Sequence, residues 1–266
     1  MEVVIKGAGE VASGIAHFLF SKNLEILMTE IPRPTTQRRT VAFAEAVFSG
    51  ETEVEGIKAE KATNIRDIHE ILKNNKIPVL IDPEGEILDN FSPEVLIDGT
   101  MAKKNLGTDI DDAKLVIGVG PGFKAGKDVD IVIETAEEAE PGRIISKGGS
   151  YPNTGIPCDI MGYTTERVLR APADGVFKSD REISDPVEEG DIVGKVDGKE
   201  LRAGITGTVR GLVKDGLEVV EGQKLGDIDP RGLREFGISD RSIEIARGVW
   251  KAINDFGPAN MNRGGS

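Results

Sequence analysis

The chain has 266 residues, a formal net charge of −13 and one cysteine, Cys158. The length allows two ordinary domains, the acidic balance without a Lys/Arg run disfavours a nucleic-acid partner, and the lone cysteine excludes a disulfide framework. No His/Cys cluster has metal-ligand spacing, and no export signal or membrane-length apolar run is present, so we expect a cytoplasmic protein without a metal site or membrane contact.

From residue 1 to about 160, short apolar runs alternate with longer polar stretches, a pattern typical of a parallel α/β sheet. The runs are rich in Val, Ile and Leu without alternation, as expected for strands covered on both faces. Predicted strands are Val3–Lys6, Glu25–Thr29, Val79–Ile81, Val95–Ile97, Leu115–Gly118 and Asp130–Glu134. Predicted helices are Val11–Phe20, Gln37–Phe48 and Ile65–Lys73. The pattern predicts a Rossmann-like cofactor-binding domain over residues 1–162.

A glycine loop joins the first predicted strand to the first predicted helix. In its G-x-G-x-x-A pattern, Gly7 permits a tight turn, Gly9 lets a pyrophosphate approach the backbone and Ala12 allows close helix packing. About 20 residues later, Glu30 ends the second strand, where a carboxylate can accept hydrogen bonds from a ribose. Arg33, just beyond, either binds an anion, neutralises Glu30 or lies on the surface. The loop predicts nucleotide binding, although similar loops occur in α/β folds that bind no nucleotide.

Acidic residues end four of the predicted strands: Glu30, Asp82, Asp98 and Glu134. Because ligands bind beyond the carboxyl ends of parallel strands, Asp98 is a candidate acid or base and Lys103 a candidate catalytic amine or anion ligand. A second glycine loop, with Gly120 and Gly122, departs from the ATP-binding P-loop pattern but can form a backbone nest for an anion. The alternative is that these acids only begin the helices that follow.

From about residue 167 the pattern changes to short strands separated by glycine turns. Leu169–Gly175 returns as Leu201–Gly207, and Glu189–Gly194 returns as Glu221–Gly226, both at a spacing of 32 residues. A spacing that stays constant without gaps indicates a duplicated structural unit.

An Asp-Gly pair at the junction of the two repeats predicts a tight hairpin. Two β units joined in this way resemble the barrel-sandwich hybrid of biotinyl and lipoyl carriers, whose modified lysine projects from the hairpin. Lys199 lies near that position but lacks the flanking residues that modifying enzymes recognise. We therefore expect no covalent lipoyl or biotin group, and a rigid module rather than a carrier.

The predicted organisation has four parts. The Rossmann-like domain occupies residues 1–162, and the barrel-sandwich hybrid of two 32-residue repeats occupies residues 163–232. A C-terminal helix within residues 233–256 follows, with Ser239 or Asp240 as its N-cap. Residues 257–266, rich in Gly and Asn, are predicted to form a flexible tail.

Several blocks of the sequence, taken in order, resemble the YqeB-type proteins associated with selenium-dependent molybdenum hydroxylases. The blocks are Gly7–Gly9, Thr29–Pro34, Arg38–Val47, Met101–Thr108, Gly120–Gly126, Pro152–Gly155 and Arg167–Pro172. The sequence departs from the family pattern after Thr135, where an Arg-Gly-His stretch is replaced by Ala136–Glu140, a segment with three glutamates. The resemblance therefore does not extend to an anion-binding role for that loop.

The resemblance implies an accessory protein that matures or supplies a molybdenum hydroxylase, handling a molybdopterin-type cofactor or its labile selenium. The partners it implies are the hydroxylase or its maturation machinery and a small-molecule cofactor. The residues alone leave three alternatives open: an NAD(P)-dependent oxidoreductase, a carrier-type protein and a structural interaction protein. They leave the identity of the ligand and the oligomeric state open as well, a homo-oligomer included.

Overall fold

A computed structural model describes the backbone of residues 1–260 and the side chains of residues 1–256. The described chain forms two compact units. The first contains Met1–Pro34, Ala42–Asn153 and the chain from Ile238 onward, and the second contains Thr35–Val41 and Thr154–Gly237. Of the predicted flexible tail, residues 257–260 continue the last helix and residues 261–266 lie outside the described residues.

The first unit contains a nine-stranded mixed sheet with the order β3-β4-β5-β2-β1-β6-β7-β8-β9. The strands are β1 (Glu2–Lys6), β2 (Glu25–Glu30), β3 (Glu51–Val54), β4 (Ile57–Ala62), β5 (Ile77–Ile81), β6 (Val95–Asp98), β7 (Leu115–Val119), β8 (Ile131–Ile133) and β9 (Ile144–Ile145). The six predicted strands are present as β1, β2 and β5–β8. Their continuous apolar runs are buried, as expected for strands inside a sheet.

The helices are α1 (Glu10–Phe20), α2 (Ala46–Ser49), α3 (Ile65–Lys73) and α4 (Asp240–Asn260). Helix α3 begins where the Asn64 side chain accepts a hydrogen bond from the Asp67 amide, and it buries Ile68 and Ile71 on one face. Helix α1 is buried along most of its length and packs against α4. The predicted helices at residues 11–20 and 65–73 and the C-terminal helix are therefore present.

The helix predicted at Gln37–Phe48 is wrong. This segment forms two 3₁₀ turns, at Arg39–Val41 and Phe43–Glu45, before the short helix α2. Ala42 between the turns has extended backbone. The segment also passes from the second unit to the first at this point, so tertiary contacts override its local helix propensity.

The predicted Rossmann-like parallel sheet is also wrong. The sheet is mixed, because β3 and β4 form an antiparallel pair at one edge and β9 pairs antiparallel with β8 at the other. No α-helix joins β6 to β7 or β7 to β8 within the described chain. The polar stretches between these strands have the length of helices but form loops, and composition alone does not distinguish the two.

The second unit contains two four-stranded antiparallel sheets, ordered β10-β17-β15-β12 and β14-β13-β11-β16. The strands are β10 (Val168–Arg170), β11 (Gly175–Ser179), β12 (Pro186–Val187), β13 (Ile192–Val196), β14 (Lys199–Arg202), β15 (Gly207–Leu212), β16 (Glu218–Val219) and β17 (Lys224–Asp229). Each sheet takes two strands from each sequence repeat. Asp197 and Gly198 both have positive φ and form the two-residue turn between β13 and β14.

The prediction of a biotinyl/lipoyl-type barrel-sandwich hybrid is therefore wrong. The unit consists instead of these two antiparallel sheets. Short strands and glycine turns are common to many all-β folds, so they predict hairpins but not which strands pair across the repeats. Pairing between β10 and β17 joins residues far apart in sequence, and only tertiary packing selects it.

The described residues contain neither a helix suited to a membrane nor a cluster of metal-binding side chains. No helix within residues 1–260 is long and apolar enough to cross a membrane. Within the same residues, no group of three or more His, Cys, Asp or Glu side chains is arranged to hold a metal ion.

Candidate functional site

The carboxyl ends of β1 and β6 lie side by side in the first unit, and the chain leaves them in opposite directions. After β1 it continues to β2 on one side, whereas after β6 it continues to β7 on the other. In open α/β sheets such a change of direction leaves a crevice between the loops, and ligands bind there. We call the loops that follow β1, β2, β5, β6, β7 and β8 the carboxyl edge.

Glu30, at the end of β2, holds the first glycine loop. Its carboxylate accepts hydrogen bonds from the Ala8 amide at 2.9 Å and from the Ile31 amide at 2.7 Å. Burial raises the pKa of the Glu30 carboxyl group above 4.5, although these two amides act in the opposite direction. The carboxylate predicted to bind a ribose is thus engaged by the protein's own backbone.

The raised pKa of Glu30 predicts a pH dependence of stability. The native state holds this proton more tightly than the unfolded state, so the free energy of unfolding falls as pH rises from 4.5 through the native pKa. We expect the wild type to lose stability relative to Glu30→Gln over this window, measured by urea unfolding at a series of pH values. A stability difference that does not change with pH would contradict the prediction.

Asp98, at the end of β6, is buried in a network of hydroxyl groups. One oxygen accepts hydrogen bonds from the Thr100 amide at 3.1 Å and the Thr100 hydroxyl at 2.7 Å, and the other accepts from the Thr108 hydroxyl at 2.7 Å. The Lys6 ammonium group donates to the same Thr108 oxygen at 3.0 Å. Asp98 therefore closes the loop from Thr100 to Thr108, and Lys6 reaches this loop from the end of β1.

The other two strand-end acids have the same role. The Asp82 carboxylate accepts from the amides of Gly85, Glu86 and Ile87. The fully buried Glu134 accepts from three amides in its own and a neighbouring loop and from the Arg143 guanidinium group at 3.4 Å. All four acids at the carboxyl edge therefore accept hydrogen bonds that organise loops, and the alternative that they only begin the helices that follow does not describe Asp98, since no α-helix follows β6 before β7 in the part of the chain that the structure describes.

The glycines of both loops approach protein atoms closely. A Cβ at Gly7 would lie 3.0 Å from Thr100 Cα, and one at Gly122 would lie 2.7 Å from Lys104 Cα. A Cβ at Gly120 would lie 2.9 Å from Thr135 Oγ1. At these three positions, the space opened by the missing side chain is filled by neighbouring loops rather than left for a ligand.

The remaining predicted loop residues lie at the start of α1. Gly9 occupies the N-cap position with extended backbone and is half-buried, so it is the glycine that a ligand can still approach. Ala12 is buried against Gly99, whose Cβ position lies 3.0 Å from Ala12 Cβ. Glu10 puts a carboxylate in the first turn, which opposes anion binding by the helix dipole.

The loop after β6 carries exposed basic residues on an unusual backbone. Met101 and Lys103 both have positive φ, at 56° and 65°, a conformation rarely adopted outside glycine. Lys103 and Lys104 are exposed, and Lys6 is half-buried. None of these three lysines has a carboxylate oxygen of a described residue within 4.0 Å. The carboxyl edge of an acidic protein thus presents ammonium groups whose charge is not neutralised by ion pairs.

The predicted arginines do not form one group. Arg33 is exposed in the segment after β2, in the first unit. Arg38 and Arg39 belong to the second unit, where their guanidinium groups donate to the carbonyls of Gly237 and Leu212.

A pocket of about 260 Å³ opens at the end of β5, beside the start of α3. Its lining residues are Thr63, Asn64, Ile65, Leu80, Ile81, Asp82, Glu86, Ile87 and Asn90. This pocket, Lys6 and Thr108 were not predicted from the sequence as parts of a site. Lys6 could have been predicted, since it ends the first predicted strand at the edge where ligands bind. The pocket and the contacts of Thr108 are formed by tertiary folding and leave no local pattern in the sequence.

The chain was compared with family models, solved structures and curated proteins. No family model matches the chain. Among solved structures, an aspartoacylase family protein from Mesorhizobium loti has a TM-score of 0.25 and 14% identity, covering 79% of this chain and 58% of that one. A succinylglutamate desuccinylase/aspartoacylase from Rhodobacter sphaeroides has a TM-score of 0.27 and 15% identity, covering 85% and 84%. At these scores neither likeness defines the fold or activity of the chain.

The uncharacterized protein YqeB of Escherichia coli K12 is 46% identical over 253 residues, which cover 94% of this chain and 47% of YqeB. The chain thus spans about half the length of that relative. This identity supports the YqeB-type resemblance of the sequence blocks, and it carries no information on selenium or molybdenum. The chain is therefore similar to YqeB over nearly its whole length and corresponds to about half of that protein.

Proposed function

We propose that the chain is an accessory protein of a molybdenum hydroxylase system that binds a phosphate-bearing cofactor, a nucleotide or a molybdopterin-type compound, at its carboxyl edge. The system-level role comes from the YqeB-type resemblance, and because the chain spans only half of YqeB, it is proposed for this half alone. The binding role comes from the arrangement of charges at the edge.

The observation that carries the binding proposal is the set of three lysines without ion pairs to described residues. Lys6 ends β1 and Lys103 and Lys104 follow β6, so they flank the place where the chain direction changes. The acids nearby accept hydrogen bonds from loop amides and hydroxyls, and none of the described ones forms a direct ion pair with these lysines. Ammonium groups held in this way attract a phosphate or pyrophosphate group.

The neighbours of the loop glycines limit the places where a phosphate could bind. The backbone at Gly7 and Gly122 is covered by neighbouring loops, so the proposal assigns the anion to the lysines and to the half-buried backbone at Gly9. Asp98 has all its observed contacts within the loop it closes, so the proposal gives it a positioning role toward Lys6 and the loop of Lys103.

The double variant Lys103→Ala/Lys104→Ala is expected to bind pyrophosphate about tenfold or more weakly than the wild type, since charge-assisted hydrogen bonds contribute about 1.5 kcal/mol or more each. Isothermal titration calorimetry at low and moderate salt measures the change. The matched control is Lys58→Ala, an exposed lysine on β4 away from the edge. Equal affinities for the double variant and the wild type would contradict the lysine site.

The cofactor class is tested on protein purified from its native host. Acid extraction and mass spectrometry should detect a nucleotide or a pterin, and adding that compound should raise the melting temperature. If extraction yields neither class and neither protects the protein thermally, the proposed function fails.

A further inference from the structure

The pocket at the end of β5 is lined by both polar and aliphatic residues. Leu80 and Ile81 form part of the lining from β5, and Ile65, which is 41% exposed, contributes from the first turn of α3. Its volume of about 260 Å³ lies just below the ~300–1,000 Å³ typical of sites for whole small-molecule ligands. By volume the pocket is therefore suited to one part of a cofactor, such as a ring system, rather than to an entire cofactor.

The polar lining contains acids and amides but no Lys, Arg or His. Thr63 and Asn64 are engaged in the start of α3, and Asp82 is engaged by loop amides. Glu86 and Asn90 are exposed, and within residues 1–256 neither side chain has a hydrogen-bond or ion-pair partner. A ligand group in this pocket must therefore present hydrogen-bond donors to a carboxylate, and an anionic group is disfavoured.

The pocket adjoins Lys6, one of the three lysines of the carboxyl edge. The Asp82 amide donates to the Glu30 carbonyl at 3.0 Å, so the pocket lies directly beyond the strand next to β2. Lys6 packs against the loop that borders it, because its Nζ is 3.6 Å from the position of a Cβ at Gly85, the residue before Glu86. A ligand with a ring at one end and a phosphate at the other can contact both places.

We propose that this pocket binds a 2-amino-4-oxopyrimidine ring, the ring system common to guanine and the pterins. Its ring N–H and 2-amino group are two adjacent donors that match the two oxygens of the Glu86 carboxylate. The Asn90 amide is the polar group left for the 4-oxo oxygen, and the ring faces the aliphatic side chains. The inference rests on the proposed function for the phosphate end, and it names the heterocycle class that the same edge takes.

The test uses probes without phosphate, so that the pocket is measured apart from the lysines. We expect guanosine and neopterin to bind in calorimetric titrations, and inosine, which lacks the 2-amino group, to bind at least about tenfold more weakly. Glu86→Gln should weaken guanosine and neopterin binding about tenfold or more while leaving pyrophosphate affinity unchanged. Glu84→Gln, an exposed acid in the same loop outside the pocket lining, is the matched control.

The outcomes separate the two proposals. If Glu86→Gln binds guanosine and neopterin as tightly as the wild type, or if inosine equals guanosine, the ring assignment is overturned whatever pyrophosphate does. If guanosine or neopterin binding depends on Glu86 but pyrophosphate does not bind, the ring assignment holds and the phosphate site of the proposed function fails. Tighter binding of one probe than the other assigns the pocket to guanine or to pterin.

Discussion

Replacing Asp227 with alanine is expected to lower the free energy of unfolding by about 3 to 5 kcal/mol, the cost of breaking a buried ion pair by removing one partner. Asp227 lies on β17 and pairs with Arg167 at 2.7 Å, and both side chains are only 4% exposed. Arg210 lies 3.3 Å from the same carboxylate oxygen. Without Asp227, the Arg167 guanidinium group stays buried with the Cys158 carbonyl as its other described partner.

The matched control is the exposed pair of Arg66 and Glu70 on α3, whose side chains are 85% and 57% exposed. Such a pair contributes only about 0.3 to 0.5 kcal/mol, so Glu70→Ala should change stability little. Urea unfolding of both variants gives the comparison. If Asp227→Ala costs no more than Glu70→Ala, the pair is not buried as the structure has it.

Gly248→Ala is expected to destabilise the protein by about 1 to 3 kcal/mol, although alanine has the higher helix propensity by about 1 kcal/mol. Gly248 is buried in α4, and a Cβ there would lie 2.1 Å from the Gly142 carbonyl oxygen. The added methyl group must push α4 away from the loop that carries Gly142. A loss of stability in Gly248→Ala would therefore reflect the close approach of α4 to Gly142, because helix propensity alone predicts a gain.

Lys251→Ala, at an exposed position of the same helix, serves as the control and should be nearly neutral. Thermal or urea unfolding compares the two variants. A Gly248→Ala protein as stable as the wild type, or more stable, would show that α4 does not contact Gly142 so closely.

Local patterns in the sequence predicted much of the secondary structure. The Val/Ile/Leu runs became β1, β2 and β5–β8, and the polar stretch predicted as a helix at Ile65–Lys73 became α3 at the predicted residues. The Asp-Gly pair at residues 197–198 became the predicted two-residue turn. These features depend on interactions within a few residues, which the local sequence specifies.

The predicted fold class failed where distant segments decide the structure. The antiparallel pairing of β9 with β8 and the β3–β4 hairpin made the sheet mixed. In the second unit, hydrogen bonding between strands of different repeats made two antiparallel sheets. Strand pairing across long separations depends on the packing of the whole chain, and no local residue pattern records it.

The candidate site likewise has features set by the local sequence and features set by tertiary contacts. The sequence by itself determined that acids and lysines stand where strands end, because a strand and its first loop residues are local features. Only the tertiary structure decided that Glu30 and Asp98 hold loops while Lys6, Lys103 and Lys104 form no ion pair with described residues. A carboxylate's role depends on which amides and hydroxyls surround it after folding, and those groups come from other loops, such as the Ala8 amide, which donates to Glu30 from 22 residues away.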